Sequence, residues 1–323
     1  MSEFDQVLAA LAAPGGDKRA LATVVSVEGS NYRHPGARMV VAASDDEAPV
    51  GSISGGCLEA EVIETARRVI ASGRPRSVTF DHRADDDLQD WGWGLGCPGT
   101  VEVFVEPAAL AGTFVAAAHA ARTDRTPVVV ALALEGSHPG ARLVIHHDGR
   151  RSGTLGHGAT DDLIAAGPTL SPSGIVTTAD GHRVFVETLR PPIRLVICGR
   201  GADTHPLAEF AARLGWVVEH GEDDPAVDAR TAVVVMSHNF KLDKDFLVQF
   251  GTTPAAYVGV LGPRSRLDRL LESLPADGAD LGAGVFDRIH GPAGLDLGAE
   301  GPEQIAWSIV SQIVAVTNGA SSR

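Results

Sequence analysis

The sequence predicts an α/β protein made of two domains, and three observations support this fold class. An internal repeat of strands and turns occupies the first half of the chain, and a strand, a Gly-x-Gly turn and a helix open the second half. Arg190-Pro-Pro192 lies between them, and because prolines end regular structure we expect domains at residues 1–190 and 191–323. A chain of 323 residues is long enough for each domain to bury its own core.

The repeat consists of two stretches with the same order of strands and turns. The first copy begins at Ala22–Ser30 and continues through Pro35-Gly-Ala-Arg38, and the second begins at Val129–Ser137 and continues through Pro139-Gly-Ala-Arg142. Each copy predicts a strand, a Gly-Ser turn, a Pro-Gly turn and a second strand. Both then reach a glycine-rich turn, which carries the thiol of Cys57 in the first copy only. The shared residues therefore indicate architecture, and Cys57 is what the first copy adds.

The segment around Cys57 is the strongest candidate for a functional site. Gly55 and Gly56 precede the thiol, Ser54 is the expected N-cap, and apolar residues at helical spacing follow. A thiol at a helix N-terminus favours the thiolate, and free amides behind a glycine pair suit an anion such as phosphate. On the residues alone, a buried structural cysteine at a tight turn is an equally good interpretation.

A second glycine-rich segment, Trp91–Gly99, carries Cys97. Glycines that alternate with Trp and Leu cannot form a strand interior, so we expect a turn-rich loop in which the backbone approaches another group. The acidic run Asp85–Asp87 lies just before it and is interpreted as a solvated loop rather than a metal site, because no partner with convincing ligand spacing is near.

The second half opens like a Rossmann unit. The strand Arg194–Cys198 runs directly into Gly199 and Gly201, and a helix and a further strand follow. Thr204 stands where the third fingerprint glycine would be, so the motif indicates the fold more strongly than NAD. Glu219, Glu222 and Asp223 lie near the expected position of a ribose-binding carboxylate. A Rossmann domain without a dinucleotide is the alternative.

Polar residues follow two later strands of the predicted parallel sheet. Ser237-His238-Asn239 comes after Ala232–Met236, where His238 could act as an acid or base, although a turn or capping role is equally plausible. Arg264 and Arg266 open the helix after Tyr257–Leu261, where they could bind phosphate. Ligands of open α/β sheets bind at this carboxyl edge.

Composition excludes several classes of protein. A formal net charge of -14 argues against a sequence-independent nucleic-acid binder. Three scattered cysteines without a CxxC pair indicate a reducing compartment. The N-terminus lacks the pattern of a signal peptide, and the longest apolar run, Val128–Leu134, is too short to span a bilayer. We therefore expect a cytoplasmic protein with no nucleic-acid or membrane partner.

Taken together, these segments resemble the XdhC/CoxI family, the accessory proteins of xanthine dehydrogenase and related molybdenum hydroxylases. The Ser-Gly-Gly-Cys-Leu-Glu segment is highly specific for this family, whereas the Gly-x-Gly turn is not. The resemblance covers nearly the whole chain and rests on Gly29-Ser30 with Pro35–Arg38, Gly51–Glu61, Gly94–Cys97, Gly199–Gly201, Met236–Asn239, Leu261–Arg264, and Gly294–Gly298 with Pro302-Glu303.

The resemblance implies a chaperone-like role with named partners. Family members bind the molybdenum cofactor, as molybdopterin or its cytosine dinucleotide form, assist its sulfuration by a cysteine desulfurase, and deliver it to an apo molybdenum hydroxylase. It also implies a homodimer, and Cys57 as a contact of the molybdenum or its sulfido ligand. The implied cofactor-binding residues are Ser54, Gly55, Gly56, Cys57, Glu59, Cys97, Gly199, Gly201, Glu222, His238 and Arg264.

Some positions depart from the family pattern, and other functions stay open. Pro98 follows Cys97 where glycine or asparagine is expected, and Glu222–Asp224 replaces Asp-His-Arg, which argues against NADP. One alternative is an NAD-dependent oxidoreductase that uses Cys57 or His238 in catalysis. The other is a scaffold or regulatory member without cofactor binding. For an active protein, we expect the Cys57 turn to face the carboxyl edge of the Rossmann sheet.

Overall fold

The computed structural model describes residues 1–29, 32–81, 99–156, 158–166, 173–178, 180–221, 225–274 and 288–320. They form two compact units, one of Glu3–Pro191 and one of Pro192–Arg323 with Met1–Ser2. The predictions for Asp85–Asp87, Cys97 with Pro98, and Glu222–Asp224 concern residues outside the described ranges. No helix among the described residues is both long and apolar enough to cross a bilayer.

The N-terminal unit contains two antiparallel sheets of the same design. The first has the strand order β3-β2-β1-β5-β4, and the second has the order β8-β7-β6-β10-β9. These matching orders confirm the internal repeat, and all neighbours in both sheets are antiparallel. The strands are β1 Arg19–Gly29, β2 Arg38–Ala42, β3 Val50–Gly51, β4 Arg76–Asp81, β5 Gly99–Pro107, β6 Val128–Ala133, β7 Arg142–Ile145, β8 Arg151–Gly153, β9 Gly174–Thr177 and β10 Arg183–Leu189.

Helices cover the apolar faces of these sheets. They are α1 Glu3–Ala12, α2 Glu59–Ser72, α3 Gly112–Thr123 and α4 Gly158–Ala166. Helix α2 buries Val62, Ala66 and Val69, whose spacing places them on one face, against the first sheet. Helix α3 places Phe114 in a core that also contains residues of both sheets. The two repeats therefore share buried apolar surface.

Strand register shows which residues of the two copies are equivalent. Glu106 lies opposite Leu21 on β1, and Glu187 lies opposite Val130 at the same place on β6. Arg38 and Arg142 likewise pair with equivalent positions of β1 and β6. Buried ion pairs join Arg38 to Glu187 and Arg142 to Glu106, so each copy's arginine binds the other copy's glutamate. This reciprocal pattern is that of a two-fold interface formed within one chain.

The C-terminal unit is a parallel sheet with helices on both faces, as predicted for a Rossmann-like domain. Its strand order is β12-β11-β13-β14-β15. Helices α6 and α7 pack on one face, whereas α5 and α8 pack on the other. The elements are β11 Arg194–Cys198, α5 Thr204–Arg213, β12 Val217–His220, β13 Thr231–Val235, α6 Phe240–Gly251, β14 Tyr257–Val260, α7 Arg264–Ser273, β15 Ile289–His290 and α8 Pro302–Thr317.

The predicted element ends in this unit are correct to within one residue. Met236 and Leu261 follow their strands instead of ending them, because the parallel pairing of β13 with β14 stops at Val235 and Val260. Trp216 lies just before β12, since the pairing of β12 with β11 begins at Val217. These loop residues therefore belong to the carboxyl or amino edge of the sheet.

Candidate functional site

Cys57 is an exposed free thiol in the turn before α2. The alternative of a buried structural cysteine is therefore wrong. Helix α2 begins at Glu59, and Leu58 occupies the N-cap position without a side-chain cap. The prediction that Ser54 caps this helix is also wrong, because the glycine pair and Cys57 form an extra turn before the helix begins. Cys57 lies two residues before the first helical residue rather than within the helix.

Ser54 and Glu59 hold this turn together. The Ser54 hydroxyl accepts hydrogen bonds from the amides of Gly56 at 3.0 Å and Leu58 at 3.2 Å, and it donates to the Glu59 carboxylate. Glu59 Oε1 also accepts from the Ser54 amide at 3.1 Å and from Ser52 Oγ at 3.3 Å. We call this set of bonds the carboxylate clamp. The clamp ties the Glu59 side chain to the turn that contains Cys57, and its hydrogen bonds fix the backbone on both sides of Cys57.

The carboxylate clamp lowers the pKa of Glu59. Partial burial alone would raise the pKa of Glu59, but hydrogen bonds from Ser54, its own amide and Ser52 together lower it. A carboxylate whose folded pKa is lowered stabilises the fold above its unfolded pKa, near 4.5 for this group, and that contribution is lost as pH falls through the folded pKa.

Glu59→Gln is expected to destabilise the protein by about 1–2 kcal/mol at pH 7, because a carboxylate that accepts several hydrogen bonds is lost. Urea unfolding at pH 7 and near pH 4 measures this effect, and the difference from wild type should shrink at the lower pH. Glu64→Gln is the matched control, since the Glu64 carboxylate pairs with Arg68 on the exposed face of α2. If Glu59→Gln lowered the free energy of unfolding equally at both pH values, the clamp would not depend on the charge of Glu59.

The second repeat contains a corresponding clamp. Asp161, in the first turn of α4, accepts from the Leu155 amide at 2.8 Å and from Thr154 Oγ1 at 2.6 Å. Both turns start at a glycine that no other residue could replace without strain. A Cβ on Gly51 would lie 2.4 Å from the Arg38 carbonyl oxygen at φ +84°, and one on Gly153 would lie 2.2 Å from the Arg142 carbonyl oxygen at φ +75°.

The two turns differ in chemistry. Counted from these glycines, Cys57 of the first turn corresponds to Ala159, the second residue of α4. The clamp is therefore a property of the repeated architecture, and the thiol is specific to the first copy. This separation supports the interpretation that Cys57 has a role beyond the fold.

An exposed aromatic ring lies beside the Cys57 turn, and sequence reasoning missed it. The Tyr32 side chain is largely exposed, and its ring lies 3.9 Å from the position of a Cβ on Gly55. A Cβ on Gly56 would meet nothing within 4 Å. The glycine pair thus presents open backbone between an aromatic ring and a thiol. No separate motif in the sequence marks Tyr32.

In the C-terminal unit, the turns after β11 and β13 pack against each other at the carboxyl edge. A Cβ on Gly199 would lie 2.6 Å from the Met236 carbonyl oxygen, and the φ of Gly199 is +147°. A Cβ on Gly201 would lie at an ordinary contact distance of 3.6 Å from the His238 ring. Packing alone therefore requires Gly199 but not Gly201, so this turn is not by itself evidence for a dinucleotide.

Alanine substitutions at these two glycines test this difference in packing. Gly199→Ala is expected to destabilise the protein by about 1–3 kcal/mol, because it combines an unfavourable φ with a backbone clash. Gly201→Ala should change stability by less than about 0.5 kcal/mol. Thermal unfolding measures both, and similar effects from the two would contradict the packing described here. If Gly201→Ala alters ligand binding at unchanged stability, the ligand approaches that backbone.

The Ser-His-Asn segment combines turn residues with one exposed imidazole. Asn239 caps α6 by accepting from the amides of Lys241 and Leu242, and Ser237 Oγ donates to buried Asp243 at 2.5 Å. These contacts confirm the turn role for Ser237 and Asn239. His238 is different, because its side chain is 57% exposed and its Nε2 lies 3.2 Å from Asp203 Oδ2.

The two arginines at the start of α7 have different surroundings. Arg266 binds buried Asp243 through Nε at 3.2 Å and NH2 at 2.6 Å, so the prediction that it grips a phosphate is wrong. Arg264 is 67% exposed, with Nε 3.1 Å from Asp268 and NH1 3.3 Å from the Gly291 carbonyl oxygen. Of the two arginine side chains, that of Arg264 is much the more exposed.

A cleft next to Arg264 was also missed from the sequence. It has a volume of about 510 Å³ and lies between the loop after β14 and the loop before α8. The first loop contains Leu261–Arg264, where Arg264 is a predicted phosphate contact, and the second contains Gly294–Gly298, to which the sequence assigns no site. Their proximity depends on the strand order, which places β15 beside β14. Among the described residues, no group of three or more His, Cys, Asp or Glu side chains could hold a metal ion.

Several known proteins are similar to this chain over nearly its full length. A protein of Bacillus subtilis (strain 168), named as a probable xanthine dehydrogenase subunit, is 28% identical, over 97% of each chain. The molybdenum cofactor insertion chaperone PaoD of Escherichia coli (strain K12) is 24% identical, over 93% of this chain and 84% of PaoD. A crystal structure described as a xanthine dehydrogenase from Bacillus halodurans is 27% identical and superposes with a TM-score of 0.79, over 99% of this chain and 97% of that one.

Two family-level matches cover separate parts of the sequence, one in each half, and each includes motifs described above. Residues 12–81, which include the Cys57 turn, match the XdhC and CoxI family, and residues 195–313 match the XdhC Rossmann domain. These two regions together make up more than half of the chain. The chain belongs to the XdhC and CoxI family.

Proposed function

We propose that this protein binds the molybdenum cofactor and helps to insert it into a molybdenum hydroxylase of the xanthine dehydrogenase type. Family membership and the similarity to a molybdenum cofactor insertion chaperone support an accessory role. The observation that carries the proposal is the exposed thiol of Cys57 on a clamped turn. The wild-type protein thus presents this thiol without any unfolding of its surroundings.

The residues of the Cys57 turn fit such a ligand. When bound, the cofactor supplies a molybdenum centre that accepts sulfur ligands. The Cys57 thiol is available as a sulfur ligand, and the open backbone at Gly55 and Gly56 allows a phosphate to approach closely. Ser54 and Glu59 act as positioning residues, because their hydrogen bonds stay within the turn. Tyr32 adds an aromatic face beside Gly55.

The C-terminal unit contributes further proposed contacts. Exposed Arg264 offers a cation to phosphate, and His238 with Asp203 lies at the carboxyl edge, where ligands of such sheets bind. That the Cys57 turn faces this edge stays a prediction. Sulfuration with a cysteine desulfurase, the choice between molybdopterin and its cytosine dinucleotide form, a homodimer and a cytoplasmic location are further parts of the proposal. The oxidoreductase alternative gains no support from Gly199, since packing explains that glycine.

Co-expression with a molybdenum hydroxylase tests the proposed function. The purified full-length protein is expected to carry molybdenum and a pterin in similar amounts, measured by mass spectrometry of the metal and by fluorescence of the oxidised pterin. Hydroxylase activity should rise several-fold when the protein is present. A protein that carries neither component, together with a hydroxylase that is equally active without it, would contradict the proposal. Nicotinamide-dependent turnover would favour the oxidoreductase instead.

A further inference from the structure

The cleft in the C-terminal unit has the size and position of a ligand site. Its volume of about 510 Å³ lies within the range of roughly 300–1,000 Å³ that is typical of small-molecule pockets. Leu261–Pro263 form one wall, Pro292–Ala299 form the other, and Ile305 and Ser308 of α8 also line it. It opens at the carboxyl end of β14, where open α/β sheets bind their ligands.

The wall that contains Gly294 is fixed by buried hydrogen bonds. The Gly294 amide donates to Gln312 Oε1 at 2.8 Å, and the hydroxyl of Tyr257 donates to the same oxygen at 2.7 Å. The Tyr257 hydroxyl is protonated at neutral pH like that of any tyrosine, and burial raises its pKa further. A Cβ on Gly294 would lie 2.3 Å from Ser308 Oγ, which shows how closely the loop packs on α8. The cleft is therefore formed before any ligand binds.

The lining of the cleft selects a particular chemistry. Most of it is apolar, from leucine, isoleucine, proline and alanine side chains, and Asp296 carries its one ionisable group among the described residues. No described residue donates a hydrogen bond to the Asp296 carboxylate or pairs with it. Apolar walls suit a flat uncharged ring, and a carboxylate can accept two adjacent N–H donors in one plane. The negative charge disfavours a phosphate at this position.

A 2-amino-4-oxopyrimidine edge has this pattern of donors. Its ring N–H and its exocyclic amino group lie side by side, so both can donate to one carboxylate. Pterins and guanine carry this edge, whereas cytosine and nicotinamide do not. A site that recognises this edge would therefore bind the pterin part of the molybdenum cofactor and not the cytosine of its dinucleotide form.

We propose that this cleft binds the 2-amino-4-oxopyrimidine edge of a pterin, with the Asp296 carboxylate accepting both hydrogen bonds. The inference rests on the proposed function for the identity of the ligand, since the same edge occurs in guanine. The exposed guanidinium of Arg264 bonds to the Gly291 carbonyl oxygen, beside the Pro292 wall, so a cation lies near the rim.

Binding of simple pteridines to the full-length protein tests this proposal. The probes are pterin, lumazine, which has a carbonyl group in place of the 2-amino group, and guanosine. Titration calorimetry or fluorescence quenching should show that pterin binds about tenfold more tightly than lumazine. This ratio is near the lower limit of the discrimination that a pair of hydrogen bonds provides, because the Asp296 carboxylate is exposed. Asp296→Asn should remove this preference, and Ala299→Phe, which fills the cleft, should weaken binding of both pteridines. Glu300→Gln, at the exposed neighbouring carboxylate, should change neither.

The outcomes separate this inference from the proposed function. Equal binding of pterin and lumazine to the wild type, or an unchanged preference in Asp296→Asn, overturns the inference. If molybdenum loading of the protein persists in that case, the proposed function stands without the cleft. Selective pterin binding by a protein that never carries molybdenum would support the cleft and contradict the proposed function. Tighter binding of guanosine than of pterin would assign the cleft to a guanine nucleotide and overturn the pterin assignment.

Discussion

Cys57→Ala is expected to reduce the activity of a co-expressed molybdenum hydroxylase to the level found without this protein. The reason is that the variant keeps the clamped turn but loses its sulfur ligand. The fold should be unaffected, with a change in stability below about 0.5 kcal/mol, because Cys57 is exposed. Hydroxylase turnover, molybdenum content of the purified chain and thermal unfolding measure the three parts of this prediction.

A relocated thiol is the sharpest control for this experiment. In the double variant Cys57→Ala with Ala60→Cys, the thiol remains exposed but stands three residues later, inside α2. Activity should stay at the level of Cys57→Ala if the position of the sulfur matters. Full activity of Cys57→Ala would exclude Cys57 from the function, and restoration by the relocated thiol would show that any nearby thiol suffices.

Glu106→Ala is expected to destabilise the protein by about 3–5 kcal/mol, because it leaves the guanidinium of Arg142 buried without its partner. Both side chains are almost completely buried, and Arg142 NH1 lies 2.8 Å from Glu106 Oε2. In the intact pair, burial alone would lower the pKa of Arg142, but the charge of Glu106, its hydrogen bonds and the charge of Glu187 raise it, so the pair holds the arginine in its charged form. Urea unfolding measures the loss, and Glu187→Ala should cost a similar amount.

An exposed ion pair provides the comparison. Glu209→Ala removes the partner of Arg213 on the surface of α5 and should cost less than about 0.5 kcal/mol. Replacing both members of the buried pair, as in Glu106→Leu with Arg142→Met, should cost less than Glu106→Ala alone, since no unpaired charge remains. A loss from Glu106→Ala as small as that from Glu209→Ala would contradict the interlocking of the two repeats by buried charges.

Much of the fold could be predicted from the sequence because its signals are local. The Pro-Gly-Ala-Arg turns mark equivalent positions of the two repeats, and the apolar run before Gly199 predicts the first parallel strand. What could not be predicted is which glutamate each arginine meets. Arg38 precedes Glu106 and Glu187 in the chain, and the sequence offers both as partners. Only the packing of one sheet against the other selects Glu187.

The site was predictable in part, for the same physical reason. Cys57 stands out as a thiol behind two glycines, but the start of the helix was placed too early. Two successive glycines are poor helix residues, so the chain makes a turn there and the helix begins at Glu59. The cleft with Asp296 was missed because its walls come from loops about thirty residues apart, and local patterns carry no information about such contacts.

The reciprocal ion pairs also determine how the two repeats can change during evolution. A neutral replacement of Arg38 leaves Glu187 buried and unpaired, and the same holds for Arg142 and Glu106. Substitutions should therefore be correlated between the repeats, position 38 with 187 and position 142 with 106, rather than within each repeat. The turn around Cys57 and the turn that follows Gly153 are free of this coupling, since each carboxylate clamp closes within its own copy. The residues of the interface between the repeats must therefore change in pairs, whereas the two turns can differ, one with a thiol and the other without.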